Sequence, residues 1–244
     1  MKQSEVNNEN KHIWDINAEE WDQHMGDEGN QWHKELIAPE TERLLGMKTG
    51  ERLLDIGCGN GLFARRMARK GVEVTAFDFS GENIEKAKKY NTEHIKYMVL
   101  DATSSSDLSK LKNVEYDGLV SNMVFMDMPN IECLFENVAD LMTDKGSFVF
   151  SIQHPCFNSE FAQTKENGNL ELSDYMANST SKGIAIPSQK IEQYYFHRPI
   201  SYYMNLGFDH GLVVSGFAEP VFAKEVNGFF SKFPPVMIIR MSKR

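Results

Sequence analysis

The chain has 244 residues, enough for one large domain with a substantial buried core, and its 41% hydrophobic and 25% charged content excludes a fibrous, disordered or disulfide-stapled chain. A formal net charge of −9 disfavours a protein whose affinity comes from neutralising phosphates, so no nucleic-acid partner is expected. Cys58, Cys133 and Cys156 lie far apart, with no Cys-x-x-Cys and no Cys/His cluster at zinc spacing; they read as reduced thiols with no metal role.

The N-terminus shows no apolar signal core, and no apolar run approaches the roughly 20 residues of a membrane span, so a cytoplasmic protein without membrane attachment is expected. The first dozen residues, polar and without period, predict a loose arm. "IWDINAEEW" predicts a short amphipathic helix, and "PETERLLG" a second one, with Pro39 at its first turn and Gly46 closing it. Strand and helix patterns then alternate. "RLLDI" is a short buried strand, "LFARRMARKG" a helix with basic residues outward, and "VEVTAFD" a second strand. Ser80 caps the helix "GENIEKAKKY", and "IKYMVL" and "YDGLVS" are further strands. Asn130 then caps "IECLFENVADLM" before the turn "TDKG" and the strand "SFVFSI".

From position 153 to about 190 the pattern gives way to a polar segment, read as either a functional lid or a disordered stretch, with some helix expected in it. A helix over "PISYYMNLGF" and strands over "HGLVVSGFAEP" and "PVMIIRMSK" complete the chain. Strands separated by helices imply a doubly wound, Rossmann-like α/β fold with a parallel sheet covered on both faces.

The stretch "LLDIGCGNG", positions 53–61, places glycines at a strand-to-helix turn, where bare backbone lets a ligand approach main-chain amides. In an open α/β sheet that turn borders the ligand crevice. Gly57, Gly59 and Gly61 are spaced G-x-G-x-G, with Leu62 where a dinucleotide fingerprint would carry its third glycine, and no Lys-Ser/Thr follows to make a P-loop. A nicotinamide-dependent oxidoreductase therefore loses ground.

With that loop, the acid ending "VTAFD", the "LDAT" after the third strand and "YDGLVSNMVFMDMP" at the fourth, the chain resembles the class I S-adenosylmethionine-dependent methyltransferases. It looks closest to the bacterial small-molecule group related to ubiquinone- and menaquinone-biosynthesis methyltransferases. The resemblance covers positions 53–152 and implies a seven-stranded, mostly parallel sheet with its last strand antiparallel, a helical N-terminal cap and an insertion after the fifth strand. It implies S-adenosyl-L-methionine as cofactor.

The implied roles are specific. Asp78 receives the ribose hydroxyls, since a carboxylate offers two acceptor oxygens to a diol. Asp101 receives the adenine amino group, with the Ala102 amide at a ring nitrogen and Phe79 against the ring face. Gly57, Cys58 and Gly59 pass beside the methionine part, and Asp55 orients the loop or reaches the amino group. Asn122 and Met123 line the crevice near the sulfonium, while Trp32 and His33 stand where relatives hold the methionine carboxylate, commonly with arginine or lysine. Each has a plainer rival: a helix cap for Asp78, a turn for Asp101, core packing for Phe79 and Met123, helix anchors for Trp21 and Trp32. Cys58 reads as a small loop residue without a base to activate it.

Methyl transfer from a sulfonium needs alignment and water exclusion first, and a base only where the acceptor must lose a proton. His154, in "SIQHPCF" at the carboxyl end of the fifth strand, is the candidate base, against a structural turn role. His197 and Arg198 read as pins between the polar segment and the final helix, and the neighbouring tyrosines as packing.

The expected organisation is a single methyltransferase domain over 1–244. Its parts are a cap at 1–50, a cofactor core at 51–152, a substrate-side lid at 153–198 and C-terminal elements at 199–244. The expected activity is direct in-line methyl transfer to O, N or C of a small-molecule acceptor. A non-catalytic module holding the cofactor or its demethylated product, and a peptide methyltransferase, are the alternatives.

Overall fold

The structure, a computed structural model, describes residues 3–90 and 93–244. A helix, α1 (Gln3–Met25), leads through a π-helical turn (His33–Ile37) into α2 (Ala38–Leu45), which Gly46 closes in the left-handed conformation at φ 63°. There follow β1 (Arg52–Ile56), α3 (Leu62–Ala68), β2 (Glu73–Asp78), α4 (Gly81–Lys89), β3 (Ile95–Val99), α5 (Ser105–Ser109) and β4 (Tyr116–Asn122). After a 3-10 turn (Phe125–Asp127) come α6 (Glu132–Leu141), β5 (Met142–Gln153), β6 (Ala162–Thr164), β7 (Leu170–Leu172), β8 (Ser179–Gly183) and β9 (Gln193–His197). The chain ends with α7 (Ile200–Asp209), β10 (Leu212–Ala218) and β11 (Val236–Lys243).

Seven strands form one sheet in the order β10-β11-β5-β4-β1-β2-β3, as the resemblance implies. The pairs of β1 with β2 and β4, β2 with β3, and β4 with β5 are parallel, while β11 is antiparallel to both β5 and β10. Strand alternation sorts the core onto the two faces. Leu54, Ile56, Leu119, Phe148 and Phe150 pack with α6 and Tyr203 of α7 on one side. Leu53, Val74, Val120 and Val149 pack with Phe63 and Met67 of α3 and Leu44 and Leu45 of α2 on the other.

The chain runs outward from β1 to β3, then returns to place β4 on the opposite flank of β1. That reversal opens a crevice at the carboxyl ends of β1 and β4, the usual ligand position in such sheets.

Four expectations are corrected. The expected loose arm is helical from Gln3 onward, because its polar residues make tertiary bonds, Asn7 with Asp101 and Asn10 with the Asp127 carbonyl, and it runs on into the predicted helix, where Asp15 meets Ser80 and Asn17 meets Ile191. The polar segment after β5 holds two antiparallel hairpins, β6–β7 and β8–β9, and no α-helix. Arg65 of α3 points inward, 1% exposed, with Nε 2.8 Å from Asp27 and the guanidinium over the Tyr90 ring. "TDKG" belongs to β5, where the pairing with β4 jumps from Tyr116↔Met142 to Gly118↔Ser147, so those residues bulge out of register. Ser80 accepts from the Asn83 amide at 3.1 Å, while Asn130 accepts from Cys133 at 3.3 Å although Ile131 occupies the cap position.

Candidate functional site

The crevice is a cavity of about 860 Å³, within the usual range of small-molecule sites, walled by residues just past β1, β2, β3 and β4 and roofed by α1 and β8–β9. After β1 the chain turns through Gly57 and Gly59 at φ 68° and 54°. A Cβ on Gly57 would stand 2.7 Å from both Val124 methyls, so only glycine fits; a Cβ on Gly59 would meet nothing within 4 Å, so that side of its backbone is open. The loop is tied to β2: the Gly59 N–H donates to Asp78 Oδ2 at 2.9 Å and the Cys58 N–H to the Phe77 carbonyl.

Asp78 also accepts from the Ser80 amide at 2.9 Å and Asn83 Nδ2 at 3.4 Å and lines the cavity, while the N-cap of α4 is Ser80. Asp55 is 2% exposed; its Oδ2 is buried without a partner, and burial followed by the nearby Asp78 charge pushes its pKa up to about 7. Burial likewise holds Cys58 well above the usual thiol range, so the thiol is no nucleophile in this environment.

Past β3, Asp101 accepts from the Thr103 amide and hydroxyl, each at 2.8 Å, which is the plain turn role. Its other oxygen accepts from Asn7 of α1 at 2.6 Å, a contact with the N-terminal helix that nothing local announces. At the end of β4, the Asn122 carbonyl oxygen takes the hydroxyls of Thr41 and Ser151 at 3.0 Å each, leaving Nδ2 buried and unpartnered at the cavity. Met123 sits at φ 57°, a conformation costing a non-glycine residue roughly 1–2 kcal/mol, and is held there by its N–H bonding to Ser151.

Trp32, His33, Phe79 and Ala102 complete the set: all twelve residues expected at the cofactor lie on this one wall. Trp32 also packs edge-on against Phe222 and Phe230, its anchoring role. His33 is buried with Nε2 unpartnered, and burial, then the charge of Arg66, lowers its pKa to about 4, so at neutral pH it offers a hydrogen bond and no charge.

His154 departs from its expected place. It does not line the cavity. Its Nδ1 accepts from the Cys156 amide at 3.1 Å, its Nε2 lies 2.8 Å from Glu219, and the ring rests on Phe157. Both nitrogens are engaged in holding the turn after β5 to the segment before β11, and burial keeps the ring neutral against the pull of Glu219.

His197 donates through Nε2 to the Tyr175 carbonyl at 2.9 Å, and the Tyr175 hydroxyl accepts from the Ile200 amide, which does pin the insertion to α7. Arg198 grips the turn after β4, donating to the carbonyls of Phe125, Met128 and Pro129 at 2.9, 2.8 and 3.2 Å.

Sequence reasoning missed Asp127, Gln193, Trp14 and the cavity-lining position of Trp21. Asp127 did carry a signal: an acid inside the apolar run "VFMDMP" must be buried with a purpose.

A family profile described as "Methyltransferase domain" matches residues 30–199. A ubiquinone biosynthesis O-methyltransferase from Xanthomonas campestris pv. campestris is 28% identical over 102 residues, 42% of this chain and 43% of that protein, so the match spans less than half the curated relative. Among solved structures, an S-adenosylmethionine-dependent methyltransferase from Mesorhizobium loti superposes with a TM-score of 0.69 at 18% identity, covering 84% of this chain and 96% of that one. The glycopeptide N-methyltransferase MtfA, solved with S-adenosylmethionine, gives 0.59 at 11% identity, covering 86% and 96%. With the class I methyltransferase sheet order, the glycine turn at the switch point and the profile match over most of its length, the chain belongs to the methyltransferase-domain family.

Proposed function

We propose that the protein is an S-adenosylmethionine-dependent methyltransferase acting on a small-molecule acceptor, distantly related to the ubiquinone-biosynthesis type. One observation carries the reading. Behind a positive-φ glycine turn, a single cavity gathers Asp55, Asp78 and Asp101, yet Lys182 is its only lysine or arginine among the described residues, and Lys182 is paired with Glu9. S-adenosylmethionine carries two positive groups and one negative, and a wall rich in acids complements that balance.

The residues present fit such a group. The unpartnered Oδ2 of Asp55 offers an acceptor to an ammonium, and the unpartnered Nδ2 of Asn122 a donor beside the switch point. Asp78, already fixed by three donors, keeps lone pairs for a ribose diol; Asp101 and Ala102 stand at the next strand end for adenine, with Phe79 beside them. His33 and Trp32 are placed for the carboxylate, with the imidazole donating a hydrogen bond without charge. When bound, the cofactor supplies a methyl group on a positively charged sulfur, already activated for displacement.

The chain's own contribution is to hold donor and acceptor in line and exclude water. In this reading 1–244 work as one domain, with 1–50 and 153–198 closing over the 51–152 core and 199–244 completing the sheet. His154 takes no part as a base.

Asp78→Ala would release the Gly59 and Ser80 amides as well as the ligand, so the cleaner variant is Asp78→Asn, which keeps the shape and one acceptor. Calorimetric titration should show S-adenosylmethionine and S-adenosylhomocysteine binding the unaltered protein. Asp78→Asn should weaken that binding tenfold or more, about 1.5–3 kcal/mol for hydrogen bonds to a charged group. Equal affinity in the two proteins would overturn the assignment. Turnover of methyl-labelled cofactor with a metabolite mixture separates transfer from binding alone.

A further inference from the structure

Beyond the loop after β4 the cavity meets polar groups that the cofactor reading leaves unused. Asp127 is buried on the cavity wall, its Oδ1 accepting from Gln193 Nε2 of β9 at 3.1 Å. Its Oδ2 meets no protein donor among the described residues. Gln193 is 8% exposed, and with Nε2 committed to Asp127 its Oε1 is buried with no partner. Tyr195 lies two residues along β9 and so on the same face as Gln193, and it too lines the cavity, whereas Tyr194 and Phe196 turn the other way and pack against Ile13 of α1.

The surroundings supply no counter-charge. Arg198, which holds the turn bearing Asp127, directs its guanidinium N–H groups to three carbonyls, and Lys182 pairs with Glu9. No lysine, arginine or histidine among the described residues forms an ion pair with Asp127. A carboxylate buried without a cation is costly unless a ligand brings one. Two adjoining acceptor oxygens, on Asp127 and Gln193, call for a ligand group with at least two N–H donors. A hydroxyl supplies one donor and no charge, and a carboxylate or phosphate would be repelled.

Resting on the methyl-transfer reading above, we propose that the acceptor is a small molecule with a primary or secondary amine, its nitrogen seated on the Asp127 carboxylate and Gln193 Oε1, with Asp127 as the base that receives its proton. The bound ammonium first passes one proton to Asp127, which frees the nitrogen lone pair; that pair forms the new N–C bond as the sulfonium C–S bond breaks. The C–S electron pair stays on sulfur as a thioether, the product leaves as an N-methylammonium, and Asp127 gives its proton to solvent. Burial raises the proton affinity of Asp127 well above the ordinary carboxylate range, which narrows its gap to an amine. The charged and titratable groups at this corner include Tyr195, kept neutral by burial, then by Tyr203, Asp127 and Glu160, against the smaller opposing pull of Arg198.

The test supplies methyl-labelled S-adenosylmethionine and an ultrafiltered small-molecule extract of cells, either mock-treated or passed over an amine-reactive activated-ester resin. Labelled product is expected from the mock-treated extract, at least about tenfold less from the amine-scavenged one, and fragmentation should place the label on nitrogen. Asp127→Asn should reduce the rate about 100-fold, the low end for losing a positioned base. Its affinity for S-adenosylhomocysteine should stay within about twofold of the unaltered protein by calorimetry, which also shows that the variant is folded. Gln193→Met is the second variant should Asp127→Asn not fold; a raised acceptor KM with unchanged cofactor affinity is expected.

Label on oxygen or carbon, undiminished labelling after amine removal, or a near-normal rate in a folded Asp127→Asn overturns the amine assignment and leaves methyl transfer standing. Cofactor binding without labelled product from either extract overturns transfer and the amine together, and absence of cofactor binding sinks the cofactor reading itself.

Discussion

Asp55 and Asp78 end adjacent strands, yet their surroundings treat them differently. Asp78 receives three protein donors that offset much of its burial, whereas Asp55 keeps a buried oxygen with no partner and a like charge beside it. The sign of the consequence follows from proton counting. Between the ordinary 3.8 and about 7, the folded protein holds a proton on Asp55 that the unfolded chain has lost. Ligand-free stability should therefore fall as pH rises through that window, by up to about 1.4 kcal/mol per pH unit. Thermal denaturation from pH 4 to 8 checks this, and Asp55→Asn should make the dependence shallower, with the share of Asp78 and Asp127, which burial also raises, remaining. If an ammonium group of the cofactor meets Asp55, affinity for S-adenosylmethionine should rise across the same window. At this scale the glycine turn and the strand-end acids were legible, because local backbone and side-chain chemistry demand those residue types wherever they occur. For Asp127 only the oddity of an acid in an apolar run was legible, since its lack of a counter-charge depends on where Arg198 and Lys182 go, 55 or more positions away in sequence.

Among the elements, the core strands and helices were read from hydrophobic period and capping chemistry, because those strands are buried on both faces and their apolar runs are local. The misread elements are those whose order comes from polar tertiary bonds. In α1 no glycine or proline interrupts positions 3–25, but asparagines and acids that face other elements erase the apolar stripe. In the insertion a local signal did exist: Asn167-Gly168 joins β6 to β7, with Gly168 at φ 78°. Arg198 couples two elements, since its three carbonyl acceptors hold the turn after β4 and with it Asp127. Arg198→Met should cost about 3 kcal/mol through carbonyls left buried without donors, measurable by urea denaturation. Turnover should fall further than the lost folded fraction accounts for, because Asp127 is no longer positioned.

For the molecule as a whole, α1 and the β8–β9 hairpin are laid across the carboxyl ends of the sheet and bonded to the cavity wall on both sides. A ligand in that cavity touches cap, core and insertion together and should stabilise them as a unit. S-adenosylhomocysteine at about 100 times its dissociation constant should add about 2.7 kcal/mol. That raises Tm by roughly 5–10 °C for a chain of this size. Scanning calorimetry with and without the ligand reads this directly, and an unchanged Tm would contradict a cavity site shared by all three parts.

The amino-acid pattern alone determined the alternation of strand and helix, the bare backbone after β1 and the acids at the strand ends, because each arises from steric and hydrogen-bonding demands within a few residues. Only the tertiary structure decided that α1 roofs the cavity, that His154 is absorbed in a turn, and that Asp127 faces the cavity without a counter-charge. Those outcomes depend on which distant groups meet, and a buried charge or an unpartnered amide is defined by its neighbours in space.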